Sequence, residues 1–313
     1  MKFGITTNMT WDGAPVTEVA KTAEALGYES LWMGEHLIIP VHVKNPFLYG
    51  VPLPDSYKHM PNPFIWHTAA AVVTTRLKLG MDVCLVPQRN PLILAKEIAC
   101  LDRISNGRFL FGAGAGWIEE EAAIMGGYPF DKRWARTIDF IRAMKKLWTE
   151  EKASYQGEYV SFPEVYCYPK PVQQPHPPIL WGAGNPNTTA MPTILKRTAE
   201  FADGWVPSFF SPDQMKMHLA TLKRLCEERG RDFSKLQISL IVPGVTLGVV
   251  DEAVPWMKGM DASRKSSTAQ LVAQYEEVGV HRILVGFSDL KAGTFTGVLE
   301  HAARALQLTG DRQ

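Results

Sequence analysis

Cysteine is scarce in this chain: Cys84, Cys100, Cys167 and Cys226 are the only four in 313 residues, and no two of them form a C-x-x-C pair. That scarcity argues against a zinc knuckle or a dithiol redox motif and suits a reducing compartment. Neither charge is in surplus, with 33 Lys and Arg against 32 Asp and Glu and no basic run, so the electrostatic footprint of a nucleic-acid binder is missing. Also missing is an apolar stretch of membrane length, and MKFGITTNMTWDG breaks into polar residues and glycine before the core of a signal peptide could form. The eight histidines include no H-E-x-x-H or related spacing, so no metal site is expected. The expectation is a soluble, cytoplasmic protein whose partner is a small molecule rather than nucleic acid or membrane. One further absence is instructive. In FLFGAGAGW (109–117) the sixth position from Gly112 is Trp117, so the G-x-G-x-x-G dinucleotide fingerprint fails.

What is present is a regular alternation. Apolar, β-rich runs recur at 3–6, 30–36, 77–86, 108–114, 178–184, 203–210, 236–244 and 282–287. Between them lie segments of helical period. In 91–105, for instance, Leu94, Ile98 and Leu101 share a face and Asn106-Gly107 supplies a stop. Continuous apolar runs are what parallel strands covered by helices require. Eight such β-then-α units predict a closed (β/α)₈ TIM barrel forming a single domain over 1–313, with a doubly wound open sheet as its rival. Three insertions exceed ordinary connections: 37–62, 150–177 and 245–267. The first and last follow strands and would emerge at the barrel mouth as substrate walls or lids. The second, with a hairpin expected at YQGEYVSF, follows a helix and reads as surface decoration.

Within this frame certain residues stand at strand ends, where barrel enzymes keep their chemistry. Gly112, Gly114 and Gly116 either let a flat ring or phosphate approach the backbone or only relieve crowding at a barrel corner. WGAGN (181–185), followed by Pro186-Asn187-Thr188-Thr189 before a helix, offers free N–H groups and hydroxyls to an anion. Glu35 and His36 end the second strand, where alternation lets only one of them face the mouth. His36 is a candidate proton carrier or else a structural histidine. Asp82 interrupts an apolar third strand, so it hydrogen-bonds at the mouth, marks an irregular strand or pairs with a nearby cation.

The segments PQRNPLILAKEIACLDRISNGRFLFGAGAGWIEEE, YPKPVQQPHPPILWGAG and SLWMGEH resemble the bacterial luciferase-like superfamily of flavin and deazaflavin (coenzyme F420) oxidoreductases. The resemblance runs from the first strand to the last helix. It implies a barrel with its cofactor in the C-terminal mouth, His36 as the active-site histidine and Glu35 as the acidic residue before it. It also implies a non-proline cis peptide between Asp82 and Val83 supporting the ring from behind. The strand-four glycines would then border the ring and ribityl phosphate, while Gly182, Ala183, Gly184 and Asn185 approach the phosphate end. Sugar-phosphate dehydrogenases of the superfamily carry Glu directly after those glycines, where this chain has Trp117. With Trp11, Phe47, Tyr49 and Trp117 expected around the mouth, an apolar or aromatic substrate is indicated. The leading expectation is an F420-dependent oxidoreductase exchanging hydride with such a substrate. The alternatives are an FMN-dependent monooxygenase supplied by a separate reductase and a non-catalytic flavin-binding barrel. The resemblance further suggests a homodimer packed through barrel helices.

Overall fold

A computed structural model describes residues 1–44, 52–250, 267–287 and 290–308. Strands β1 (Lys2–Thr7), β2 (Ser30–Met33), β3 (Lys78–Met81), β4 (Cys84–Leu85) and β5 (Phe109–Gly114) make the first half of the barrel. The helices α1 (Val16–Ala25), α2 (Pro63–Val72), α3 (Pro91–Ile104), α4 (Glu119–Gly126) and α5 (Arg133–Thr149) go with them. A hairpin of β6 (Ala153–Gln156) and β7 (Ser161–Val165) follows, then β8 (Ile179–Gly182), α6 (Met191–Phe201), β9 (Gly204–Val206) and α7 (Pro212–Glu227). The chain continues through β10 (Gln237–Pro243), α8 (Gly244–Leu247), α9 (Thr268–Glu277), β11 (Arg282–Phe287) and α10 (Phe295–Ala305).

The sheet runs β3-β2-β1-β11-β10-β9-β8-β5 and closes through a β3–β5 pairing, so eight parallel strands form a barrel. Leu79 opposite Phe109 makes the closure, and Ile5 sits between Leu31 and Val285. The expected closed barrel is therefore observed and the open sheet is not. The run read as one strand over 77–86 divides instead: it leaves the sheet at a cis Asp82–Val83 peptide and resumes as β4 against β5. The hairpin expected in the second insertion is present as β6–β7.

Local signals place the helices. Asn90 caps α3 by accepting from the N–H groups of Leu92 and Ile93, Pro91 opens the helix, and the stop comes at Asn106 and Gly107, with φ of 54° and 75°. Ser211 with Gln214, and Ser267 with Gln270, form capping boxes at α7 and α9. The larger apolar core lies between strands and helices, whereas Trp32, Leu110, Leu180, Val206 and Leu284 fill the barrel interior. With the interior packed, ligand space is confined to the ends.

The floor of the barrel is ionic. Arg282, 2% exposed, donates through Nε and Nη2 to Glu29, both at 2.7 Å, and through Nη1 to Ser239 at 2.8 Å. Burial works to raise the Glu29 carboxyl, but the hydrogen bonds and charge of Arg282, helped by Lys78, hold it down from 4.5 to about 2. A carboxyl lowered in the folded state stabilises above its unfolded value and loses that contribution as pH falls through its folded one. Wild-type stability is thus expected to drop by ~3 kcal/mol between pH 4.5 and about 2 from this group. Arg282→Met leaves the carboxylate without its cation and is expected to cost ~3 kcal/mol at pH 7, a gap that narrows at acid pH. Urea unfolding at the two pH values checks both statements.

Candidate active site

The C-terminal ends of the strands enclose a cavity of about 620 Å³. Its walls come from separate elements: Thr6 and Asn8 after β1, Gly34 to His36 after β2, and Tyr57 and Met60 from the first insertion. Asp82 and Val83 contribute from the break between β3 and β4, Ala115 to Trp117 from beyond β5, and Gly182 to Gly184 from the end of β8. Arg133 and Trp134 at the start of α5, Thr188, and Thr193 and Arg197 on α6 complete it.

β2 ends at Met33, so Glu35 and His36 lie in the loop beyond the strand rather than at its end as expected, and there they turn apart. The Glu35 carboxylate turns to β4, accepting the Leu85 N–H at 2.7 Å and two donors of Arg89, Nε at 2.9 Å and Nη2. Both oxygens are engaged, so Glu35 braces β2 against β4 rather than presenting a free acid to the cavity. His36 faces the other way. Its Nδ1 lies 2.9 Å from Glu121 Oε2, with the histidine 7% and the glutamate 0% exposed. An ionised carboxylate only accepts, so Nδ1 carries the proton in this pair and Nε2 remains for the cavity. The imidazole sits between Tyr57 (centroids 5.2 Å apart, tilted) and Trp117 (6.0 Å, edge-on).

Asp82 does hydrogen-bond at the mouth: its Oδ2 accepts the Thr6 hydroxyl. Its Oδ1 is buried without a partner, and burial pushes the carboxyl up to about 7 against that hydrogen bond. The Asp82–Val83 peptide is cis, as the resemblance implies.

The glycines answer differently from the expectation that they border a ring. A Cβ on Gly112 would stand 1.7 Å from the Met81 carbonyl oxygen, one on Gly114 2.3 Å from Val83 Cγ2, and one on Gly182 1.9 Å from Val83 Cγ1. These three make room for the Met81-Asp82-Val83 backbone and side chain. Gly112 and Gly114 lie outside the cavity wall, and the crowding they relieve is that of the bulge behind the site. Gly116, with φ of 79°, does line the cavity, as do Gly182, Ala183 and Gly184. Asn185 does not. Its N–H donates to the Thr188 hydroxyl at 3.0 Å and its Oδ1 accepts from Asn187 N–H at 2.9 Å, folding the loop onto itself.

Trp117 is in the wall beside His36, but Trp11 is not in the wall. It is 68% exposed, and its indole N–H donates to His59 Nδ1 at 3.0 Å, so it tethers the first insertion from outside. Phe47 and Tyr49 lie outside the described residues. Sequence reading missed Glu121, Tyr57, Arg133, Trp134 and Arg197. Glu121 is one of three consecutive glutamates, and only the phase of a short helix decides which turns inward; Arg133 and Arg197 each follow a lysine, and nothing local tells which cation of the pair faces the cavity.

The far end of the cavity is basic. Arg133 donates to the Gly116 and Phe130 carbonyls at 3.2 and 2.9 Å, and Arg197 lies over the Trp134 ring, 5.5 Å from its centroid. Burial pushes both guanidinium groups below the usual arginine value, and the charge of Arg197 lowers Arg133 further. Neither forms an ion pair with a carboxylate of the described residues. Two half-buried cations, offset at longer range by Glu119 and Asp131 for Arg133 and by Glu200 for Arg197, share the cavity with the Thr188 and Thr193 hydroxyls, an arrangement suited to an anion. Among the described residues no group of three or more His, Cys, Asp or Glu is placed to hold a metal ion, and no helix is long and apolar enough to cross a membrane.

The sequence profile of the luciferase-like monooxygenases matches residues 2–253. The uncharacterized protein Rv0953c of Mycobacterium tuberculosis is 30% identical over 309 residues, covering 98% of this chain and 99% of the relative. An F420-dependent glucose-6-phosphate dehydrogenase of Kineococcus radiotolerans is 30% identical over 193 residues, 61% of this chain and 51% of that protein. The oxygenating constituent of 3,6-diketocamphane monooxygenase from Pseudomonas putida, in complex with FMN, superposes with a TM-score of 0.73. That match covers 98% of this chain and 97% of the other at 18% identity, a likeness of fold.

Proposed function

Because this chain belongs to the luciferase-like monooxygenase family, we propose that it is an oxidoreductase that takes coenzyme F420 and exchanges a hydride with a small organic substrate of apolar or aromatic character. The observation that carries this reading is one cavity joining two half-buried arginines, neither within ion-pair distance of a carboxylate of the described residues, to an imidazole held by a buried carboxylate. The residues fit a phosphorylated ring cofactor: Arg133, Arg197 and Thr188 would hold its phosphate, while Trp117, Tyr57 and Val83 offer flat, apolar surface to the ring. The F420-dependent relative that matches by sequence supports the deazaflavin reading.

When bound, the deazaflavin supplies or accepts the hydride. The chain contributes the rest. Glu121 fixes the imidazole tautomer. His36 Nε2 takes the proton of a substrate hydroxyl as the adjacent C–H is oxidised, and returns it in the reverse direction. The Trp117 and Tyr57 rings flank the imidazole and keep water from it, and with Met60 they form a wall suited to an apolar substrate.

Titration of the protein with F420 and FMN side by side, read by fluorescence quenching, is expected to show preference for F420. Preference for FMN, with oxygen uptake from reduced FMN supplied by a separate reductase, sinks the assignment in favour of a monooxygenase. Arg197→Ala is expected to weaken F420 by ~10- to 100-fold, the worth of hydrogen bonds to a charged group, while leaving the phosphate-free ring–ribityl compound unaffected.

A further inference from the structure

Two acids stand in the wall of the cavity, and they are held in opposite ways. Both oxygens of Glu35 are engaged, by the Leu85 N–H and by Arg89. Asp82 forms no ion pair with a cation of the described residues; its Oδ2 accepts the Thr6 hydroxyl, while its Oδ1 is buried without a partner. Its own N–H donates to the Met33 carbonyl at 3.1 Å, which ties the residue to the end of β2. Resting on the reading that this cavity takes a ring cofactor, we propose that Asp82 meets that ring as a neutral carboxylic acid, its Oδ1 hydroxyl donating to a ring carbonyl or ring nitrogen.

The chemistry follows from the surroundings. A buried carboxylate without a cation is costly, so the protonated form is the cheaper one, and burial pushes the Asp82 carboxyl up to about 7. With Oδ2 already accepting from Thr6, the proton belongs on Oδ1, which turns an unpartnered acceptor into a donor. Val83, Met60 and Tyr57 line the same cavity and keep the neighbourhood apolar. The other titratable groups of the cavity do not neutralise Asp82: Glu35 is taken by Arg89 and His36 by Glu121, burial pushes the Tyr57 hydroxyl up so that it stays protonated, and Arg133 and Arg197 stand at the far end. The acid is the binding form, so affinity is full below about 7 and falls as pH rises through that value. FMN presents the same kinds of acceptor as the deazaflavin, so the role of Asp82 does not turn on which of the two is bound.

The test measures F420 affinity by fluorescence quenching from pH 6 to pH 8 in the wild type and in Asp82→Asn. Asparagine keeps an acceptor for Thr6 and a donor beside it at every pH. Ionisations of the ligand and of His36 act alike on both proteins and cancel in the ratio of affinities. The wild type is expected to match the variant at pH 6 and to bind about tenfold more weakly than it at pH 8, where most of the free carboxyl is charged. Calorimetry at pH 8 in buffers of different protonation enthalpy is expected to show nearly one more proton taken up on binding by the wild type than by the variant. Thr6→Val removes the hydrogen bond that favours the charged form and is expected to move the wild-type break to higher pH. A ratio flat in pH, a ratio that favours the wild type at pH 8, equal proton uptake or a break unmoved in Thr6→Val overturns the role of Asp82 and leaves the cofactor assignment standing. FMN bound in place of F420 with the same pH pattern overturns the assignment and leaves the role of Asp82 intact, and binding of neither overturns both.

Discussion

His36→Ala is expected to retain F420 affinity within about twofold and to lose turnover by ~10²- to 10⁴-fold, the range of a positioned general acid–base. In the proposed mode the affinity survives because the phosphate and ring would be held by α5, α6 and the strand ends rather than by the imidazole. Turnover falls because no other imidazole lines the described cavity. Glu121→Gln should cost less, ~10- to 100-fold, since the amide still accepts from Nδ1–H but no longer stabilises the charged imidazolium. Steady-state rates beside binding titrations decide the matter, and unchanged turnover in His36→Ala removes the residue from the mechanism.

The second large effect concerns backbone. Gly112→Ala would set a methyl group 1.7 Å from the Met81 carbonyl oxygen. The obstruction is main chain, not the end of a flexible side chain, so relief requires β3 and β5 to separate near the closure of the barrel. We expect a loss of roughly 3 kcal/mol or more, with cofactor binding lost because Asp82 and Val83 shift. Gly297→Ala on α10, where a Cβ meets nothing within 4 Å, is the contrasting case. It should be neutral or stabilising by up to ~1 kcal/mol. Denaturant unfolding of the two variants separates a steric role from a general intolerance of side chains at glycine.

The barrel was legible because its strands are buried on both faces and so announce themselves as unbroken apolar runs, while caps such as Asn90 and Asn106-Gly107 mark the helices between them. Glu35 and His36 do diverge, but not by alternation, since β2 ends at Met33 and the two separate in the loop beyond it. The glycines were harder. A missing side chain says that something approaches, and only coordinates tell a neighbouring strand from a ligand. The 77–86 run looked continuous because Lys78 and Asp82 are its only charged residues; that the chain leaves the sheet at Asp82 depends on partners at Thr6 and Met33, which sequence does not connect. Trp11 misled for a related reason: position in a mouth loop does not fix which side of that loop an aromatic takes. Glu121, Arg133 and Arg197 carry no local signal at all, since their meaning arises only when α4, α5 and α6 converge on one volume.

Val83 occupies the hollows left by residues 114 and 182 at the same time. Bulk at these three positions is therefore constrained as a total rather than position by position. Trimming residue 83 opens latitude at two distant strands, and enlarging either of those closes it at the other two. Variation across this protein's kin should run in compensating sets, with a larger residue at 114 or 182 accompanied by a smaller one at 83.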